Sequence, residues 1–558
     1  MAERQSALLC STHGQCEARV WSQLPPDLTE RIVHRLDRNE IVATFRLVNK
    51  AAASQFSGPE YTTIRLSQPV PPHVFSAHWL APGATRGLTL EQRRKLLCLT
   101  AASGVLRNLE VATQGTGCSP NQDAFRAAVG AGQLLICKWL LRKGSYDFSR
   151  IRTDDTRAFE AAAGSGHVHI LEWLQESGPG YSFGAAPSAA RSGHLTTVDW
   201  LVRQPRHMAG NNAQGPLQGP LVAATAAGCA LAALQQRVAE GGWGLSETMY
   251  KTEALAAAAG SPTLDWGAKV EWLEAQGCPK STEAAEEAAG MPNHSEALAR
   301  LSWLRGRGYP ADEKAVKAAP RTGNVAALQY LLAEAGVWPD GNGKAAEAAA
   351  EGGHLAALQA LHGAGWPAGR FFARLAAARG GHVHVLAWML EALGAEAVPL
   401  DSILFAAATE SGSVELLAWL RDRGCDYRDP IVLRGAACVC CEAALEFLVE
   451  LGCPQEMAKE CYLLALENND LATLRCLRRL GLPPRAFATR PEFSAARFPL
   501  PILRWLLNEA DCHVDYDDAR VFLAASGCNG HEQHAEAWAL VERYKRLHPE
   551  RIIGDGDD

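Results

Sequence analysis

The sequence lacks any long uninterrupted apolar segment. The longest candidate, residues 221–234, is broken by Gly228, whereas a membrane-spanning helix needs about 18 or more consecutive apolar residues. The residues before Val20 are polar and mixed, without the basic start and apolar core of a secretory signal. We therefore expect no membrane span and a cytoplasmic protein, with the nucleus as the alternative location.

An excess of positive charge is also missing. The chain of 558 residues has 54 Lys and Arg against 61 Asp and Glu, which gives a net charge of −7. Because binding to nucleic-acid phosphates needs a basic face, this balance argues against a nucleic-acid partner. The 16 cysteines, without a secretory signal, predict a reducing compartment in which most thiols stay free.

Motifs that carry catalytic chemistry are absent or incomplete. The stretch Gly341–Lys344 lacks the first glycine and the Ser/Thr of a phosphate loop, and His531 and His534 are one residue too close for a zinc-binding His-Glu-x-x-His motif. Cys438 and Cys441 have the spacing of half a zinc site, but cysteine is also a frequent buried small apolar residue, and we favour that interpretation. The sequence predicts no enzymatic activity, no cofactor and no metal site.

The sequence does contain one repeated motif, roughly Ala-Ala-x-x-Gly-His-x-x-x-Leu-x-Trp-Leu-x-x-x-Gly, which recurs about every 30 residues. Clear copies occupy residues 161–178, 189–202, 376–390 and 406–424. The tryptophan position can be followed through weaker copies: Val111, Trp139, Trp173, Trp200, Gln235, Trp272, Trp303, Tyr330, Ala360, Trp388, Trp419, Phe447, Cys476, Trp505 and Trp538. A period of this length is typical of repeat proteins and favours binding over catalysis.

Each copy has the pattern of two short helices. An Ala-rich segment such as Thr156–Gly164 is followed by glycines and then by apolar residues at helical spacing in Gly166–Gly178. Two short helices cannot bury their apolar faces alone, so consecutive units must stack. The small alanines let first helices approach closely, and we expect the tryptophans to fill the gaps between layers. The fold class predicted is an all-α solenoid of about 14–15 helix-turn-helix repeats.

The unit resembles an ankyrin repeat, whose two helices are joined by a Gly-His turn and whose second helix carries apolar pairs. It is most similar to the short, Trp-containing variant found in algae, protists and large viruses, and the resemblance covers residues 96–547. The usual Thr-Pro-Leu-His motif at the start of an ankyrin unit is replaced by segments such as Arg157–Ala162. The resemblance implies that a target protein binds the concave face formed by the first helices and the loops between units.

The segment 21–57 has a different pattern, that of three small helices. Leu24-Pro25-Pro26-Asp27 is a helix start, and Leu28, Ile32 and Leu36 follow at four-residue spacing. A break at residues 37–39 leads into a second helix over 40–48, and a third short helix reaches Phe56. Three helices in about 35 residues bury too little apolar surface to stand alone, so this module needs a partner.

This segment resembles an F-box, on the evidence of Leu24, Pro25, Leu28, Ile32, Leu36, Glu40-Ile41, Leu47, Val48 and Lys50. Three alanines, residues 51–53, stand where the family has an aromatic residue. The resemblance implies docking on a Skp-type adaptor of a cullin–RING ubiquitin ligase through Leu24, Pro25, Leu28, Ile32, Leu36, Ile41 and Val48. The alternative is that the module only caps the repeat array, which would then act as a scaffold or inhibitor.

The remaining parts of the chain are assigned by composition. We expect residues 1–20 to be disordered and residues 58–95, which include a Pro-rich stretch, to be a linker packed on the first repeat. The array follows over 96–547, and residues 548–558 form a short acidic tail that we expect to be disordered.

Overall fold

The computed structural model describes residues 25–48, 50–142, 156–177, 182–204, 214–240, 248–333, 343–367, 371–482, 499–509, 514–516, 532–549 and 552–553. The predicted all-α fold is confirmed for these residues, which are helical apart from turns and one two-residue strand pair. The expected disordered start (1–20), Leu24, the first half of the phosphate-loop-like stretch (341–342) and the end of the acidic tail (554–558) lie outside the described residues.

The repeat pattern corresponds to thirteen successive helical hairpins in the described part of the chain. The first helices are Leu90–Ala102, Gln122–Gly130, Thr156–Gly164, Ala185–Arg191, Gln214–Gly228, Thr248–Ala259, Glu283–Ala289, Glu313–Arg321, Lys344–Glu351, Phe371–Arg379, Ser402–Thr409, Ile431–Cys438 and Ala458–Glu467. The second helices are Leu106–Thr116, Leu134–Arg142, Val168–Ser177, Leu195–Val202, Leu231–Glu240, Trp266–Ala275, His294–Gly306, Val325–Ala333, Leu355–Gly363, Val383–Leu393, Val414–Asp422, Glu442–Glu450 and Leu471–Arg479. The array thus begins at Leu90, six residues before the start predicted from the sequence.

The ends of the chain add a few further elements. Before the array lie helices Pro26–Val33, Arg38–Ala43, Lys50–Gln55, Pro59–Thr62 and Pro72–Trp79 and the 3-10 helix Phe45–Leu47. After the hairpins lie helices Leu500–Asn508 and Glu532–Leu547 and the strands Val514–Asp515 and Ile552–Ile553. The two strands pair in parallel, so residues 552–553 are extended and paired where the composition predicts disorder.

Most hairpins turn through a residue with positive φ, a conformation that favours glycine because it lacks a Cβ. Gly166 and Gly381, with φ of 75° and 74°, are typical. Cys440 and Asn469 take the same place in two late hairpins with φ of 52° and 55°. They are the only non-glycine residues with positive φ in the part of the chain that the structure describes.

The two rows of helices pack differently. First helices contact the first helices of neighbouring hairpins extensively, through fully buried alanines such as Ala162, Ala163 and Ala190. Successive second helices make fewer contacts, because leucines and tryptophans hold them further apart. Since one row is packed more tightly than the other, the solenoid curves with its first helices on the inner side.

The curvature brings the start of the array back to its end. The backbone N–H of Leu90 donates to the carbonyl of Val439 at 2.8 Å, and Cys118 and Asp470 form an isolated antiparallel bridge. The first hairpin therefore lies against the turns of the last hairpins after one superhelical turn.

Most of the tryptophans that define the repeat are only partly buried. Trp139, Trp173, Trp272 and Trp388 pack against the core from the outer row, and Trp505 is buried, with 1 % of its surface exposed. The deep core positions are instead the neighbouring leucines and alanines. The expectation that the tryptophans fill the gaps between layers is thus correct for Trp505 and too strong for the others.

No helix among the described residues is both long enough and apolar enough to cross a membrane.

Candidate functional site

The amino-terminal module has a small core of its own. Val33, Ile41, Phe45, Ala52 and Phe56 are buried together, separate from the core of the array. The rings of Phe45 and Phe56 meet edge to face with centroids 5.7 Å apart. The order of short helices expected from the sequence is present, and the module is a distinct unit.

The predicted adaptor anchors divide into an outward and an inward group. Pro25, Leu28 and Val48 are exposed, Leu28 by 42 % and Val48 by 55 %, and the neighbouring Leu47 is exposed by 79 %. Ile41, by contrast, is 5 % exposed in the module core, where Leu36 also packs. The assignment of Ile41 as an anchor is therefore corrected, because its side chain faces inward.

The remaining two predicted anchors cannot be assigned to either group. Ile32 lies in helix Pro26–Val33, with its side chain outside the described part, and Leu24 lies outside the described residues altogether.

Asn39 joins the module to the chain that leads into the array. Its side-chain amide donates to the carbonyls of Arg65 (2.7 Å), Gln68 (3.2 Å) and Pro69 (2.9 Å). Its side-chain oxygen accepts from the N–H of Arg65 at 2.8 Å. Because Asn39 is only 1 % exposed, these bonds fix the module against the following loop. No motif or spacing in the sequence indicated this role.

The first hairpin is covered by a segment that follows the module. Helix Pro72–Trp79 packs on helix Leu106–Thr116, and Val70 and Phe75 are buried in the core of the array. Asn108 donates to the carbonyl of Val70 at 2.8 Å. This end of the array is therefore capped by residues 66–79, and not by the module itself.

Arg93 and Asp470 form a buried ion pair where the array closes on itself. The guanidinium donates to both carboxylate oxygens, at 2.8 and 2.6 Å, and the two side chains are 1 % and 0 % exposed. Arg93 also donates to the carbonyls of Thr116 and Cys440. Burial opposes the charge, but the hydrogen bond and attraction of Asp470 outweigh it and hold the pKa of Arg93 above its ordinary value.

Asp470 takes the place that histidine holds in the Gly-His turns. His382 bonds through Nε2 to the carbonyl of Glu351 at 2.8 Å, and His354 bonds to the carbonyl of Arg321 at 3.3 Å. The repeat histidines His382 and His354 thus bond to the backbone of the preceding hairpin. An aspartate in this place instead accepts from Thr473 and from Arg93.

Two buried cations occupy second-helix positions that are apolar in most other repeats. Lys269 and Arg300 stand three residues before Trp272 and Trp303, where Ile170 stands before Trp173. The ammonium of Lys269 donates to the carbonyls of Ala226 (2.5 Å) and Cys229 (2.9 Å) and to the hydroxyl of Ser261 (2.7 Å). Arg300 donates to the carbonyl of Ala259 at 2.6 Å. Both cations thus satisfy carbonyls at helix C-termini, the negative end of the helix dipole.

Lys269 should make stability depend on pH in the alkaline range. Burial lowers its pKa from 10.5 to about 8, despite the opposing attraction of Asp265. Between those values the unfolded chain binds more protons than the folded one, so the folded state gains stability as the pH rises. We expect the free energy of unfolding, relative to Lys269→Met, to increase by about 3 kcal/mol from pH 8 to 10.5. Parallel denaturant titrations measure this difference, and a constant difference would contradict it.

Cys438 and Cys441, which have the spacing of half a zinc site, and the nearby Cys453 and Cys461 have separate environments. The Sγ of Cys441 donates to the carbonyl of Gly412 at 3.5 Å, that of Cys453 donates to the carbonyl of Tyr427 at 3.6 Å, and Cys438 is exposed. Burial raises the pKa of the Cys461 thiol to about 12, which disfavours the thiolate that a metal requires.

Among the residues that the structure describes, one other group of possible metal ligands comes together, Glu442, Glu446 and Cys476. Arg479 pairs with both carboxylates, and Arg86 pairs with Glu446. The negative charges are thus neutralised by the two arginines. Arg86 belongs to the segment before the first hairpin, so this cluster also joins the two ends of the array.

No model of a known protein family matches this sequence. A search of curated proteins likewise finds no match.

Proposed function

We propose that this chain is a non-enzymatic protein-binding solenoid of the ankyrin type, whose F-box-like module recruits a Skp-type adaptor of a cullin–RING ubiquitin ligase. The inner face of the array holds a target protein, and the module connects that target to the ligase. The observation that carries the proposal is the division of the module into an inward core and outward apolar residues, Leu28, Leu47 and Val48.

Exposed apolar side chains on such a small module are the kind of surface that a partner covers. Val33, Phe45 and Phe56 supply the module's own core, and Leu28 and Leu47 lie outside that core. Leu28 and Val48 are also among the residues that the F-box resemblance assigns to the adaptor interface.

The alternative, in which the module only caps a scaffold, has less support. The first hairpin is already covered by helix Pro72–Trp79 with Val70 and Phe75. The module contributes the Asn39 bonds to the loop at residues 65–69, which hold it in place without adding to the core of the array. A pure cap would need no outward leucines.

Adaptor capture tests the proposal. In the full-length chain, Leu28→Glu and Leu47→Glu should each weaken binding to a purified Skp-type adaptor at least about tenfold, because a charge would be buried at an apolar contact. Leu264→Glu is the matched control, since Leu264 is fully exposed in the array, 101 % by area. If the wild-type chain does not bind the adaptor, or if all variants bind equally, the ligase link is wrong and the scaffold alternative stands.

A further inference from the structure

One position of the first helix is apolar and exposed in three consecutive hairpins, whereas it is charged or glycine in others. It lies nine residues before the left-handed residue of the turn, as Phe372 does before Gly381. In the seven other described hairpins whose turn has such a left-handed residue, this position holds a charged residue or glycine: Lys95, Asp123, Arg157, Gly184, Lys314, Lys344 and Glu460. In three neighbouring hairpins it holds Phe372, Ile403 and Ile431, exposed by 57 %, 51 % and 43 %. We call these three residues the apolar stripe.

The frame of the solenoid does not require these apolar residues. Lysine and glutamate stand at the same place in adjacent hairpins, so the fold tolerates charge there. Single exposed apolar residues are common on protein surfaces. Three at the same repeat position, side by side on the inner row, form a continuous patch, which marks a binding surface.

The stripe is held rigidly at its start. The ring of Phe371 meets that of Phe372 at 5.5 Å, and the guanidinium of Arg374 lies 4.9 Å from the Phe371 ring centre. Arg374 pairs with both carboxylate oxygens of Asp401, at 3.0 and 2.9 Å. Asp401 in turn accepts the N–H of Leu404 at 2.8 Å and so caps the next first helix. Fixed aromatic side chains are favoured binding anchors, because little entropy is lost when they are covered.

Charges of opposite sign flank the stripe. The two preceding hairpins present the exposed Lys314 and Lys344 at the same position, and the following hairpin presents Glu460. Along the inner row the order is therefore two positive residues, three apolar residues and one negative residue. A complementary partner has acidic side chains at one end, apolar side chains in the middle and a basic side chain at the other end.

The regular spacing of the first helices suits an extended partner. The first helices lie side by side on the inner side of a solenoid that closes through Arg93 and Asp470. An extended chain that runs along this row reaches one first helix after another. Neighbouring helices pack about 8–10 Å apart, and an extended chain rises about 3.3 Å per residue. Successive anchors in the partner should therefore be about three residues apart.

We propose that the stripe of Phe372, Ile403 and Ile431, with Lys314, Lys344 and Glu460, binds an extended segment of a partner protein with two acidic residues, three apolar residues and one basic residue at regular spacing. This inference rests on the proposed target-binding role of the inner face, and it names the chemistry of the segment recognised. The adaptor interface of the module is not involved.

A set of synthetic peptides tests the inference on the full-length chain. The fluorescent probes carry two glutamates, three leucines and one lysine separated by serine and glycine, with spacings of two, three or four residues and in both chain directions. We expect at least one probe to bind better than its scrambled version. Ile403→Glu and Phe372→Glu should weaken that binding at least about tenfold, and Leu135→Glu, on the outer row and 83 % exposed, should leave it unchanged.

Reversing the charge of Lys314 and Lys344 distinguishes specific recognition from nonspecific apolar binding. The double variant Lys314→Glu with Lys344→Glu should bind the glutamate probe more weakly. It should bind a probe that carries lysines at the same places more tightly. If no probe exceeds its scrambled version, or if the stripe variants bind like the wild type, the inference is wrong. Because Leu28→Glu should leave peptide binding intact, and the stripe variants should leave adaptor capture intact, failure of either proposal is visible separately.

Discussion

Replacing Asp470 with alanine is expected to release the first hairpin from the last ones and to lower the free energy of unfolding by about 3–5 kcal/mol. The substitution leaves the guanidinium of Arg93 buried without its carboxylate partner, since its other acceptors are neutral carbonyls and a thiol. It also removes the cap of helix Leu471–Arg479, because Asp470 accepts the N–H of Thr473 at 3.2 Å.

Two comparisons isolate the ion pair in this experiment. The double variant Arg93→Met with Asp470→Leu should lose much less stability than Asp470→Ala, because no unpaired charge remains. Removing the exposed pair of Arg379 and Glu410 should cost at most about 1 kcal/mol. Hydrogen exchange is the measurement of choice, because repeat arrays open locally. Unchanged protection of helices Leu90–Ala102 and Leu471–Arg479 in Asp470→Ala would contradict the closure.

The second large effect is expected at Trp505. Trp505→Ala should cost about 3–5 kcal/mol, as truncations of buried aromatic residues do. Trp388→Ala should cost about 1–2 kcal/mol, because Trp388 is only partly buried beside His362. Trp505→Phe should be nearly neutral, since the indole N–H of Trp505 is buried without a hydrogen-bond partner. Denaturant titration compares the three variants, and equal losses for Trp505→Ala and Trp388→Ala would contradict this difference.

The tryptophan period predicted the order of the hairpins because it reports a face of a helix, but it predicted 14–15 repeats where the structure describes thirteen hairpins. The positions from Val111 to Cys476 all fall on second helices, as the register required. The same pattern predicted that Trp388 fills a gap between layers, and it overestimated how deeply this side chain is buried. Apolar residues at helical spacing show which side of a helix faces its neighbours, but not how deeply each residue is buried.

The site could be predicted only in part, for similar reasons. The spacing in residues 24–48 predicted a small helical module, and Leu28 and Val48 are exposed on it. It could not distinguish Ile41, which has the same chemistry and faces the module core. With apolar residues on both sides of so short a module, spacing alone does not separate core from surface.

The closure of the array was beyond prediction from spacing. Arg93 and Asp470 are separated by 377 residues, and they meet only because a small rotation is repeated at every hairpin. One signal was nevertheless present: an aspartate stands where the turn of other repeats has histidine. Lys269 and Arg300 were a similar signal, because they are charged residues at a repeat position that Ile170 and Val385 occupy in other hairpins.

The most direct test of the account is the distance between the two ends of the array. Pulsed electron resonance between spin labels at the exposed Glu91 and Glu467 reports it, with labels attached to unnatural amino acids because the chain has 16 cysteines. Closure after one turn predicts a single distance below about 30 Å, whereas thirteen hairpins about 8–10 Å apart in a straight row would separate the labels by about 100 Å. A short distance that lengthens in Asp470→Ala would support the closed solenoid, and a long distance in the wild-type chain would contradict it.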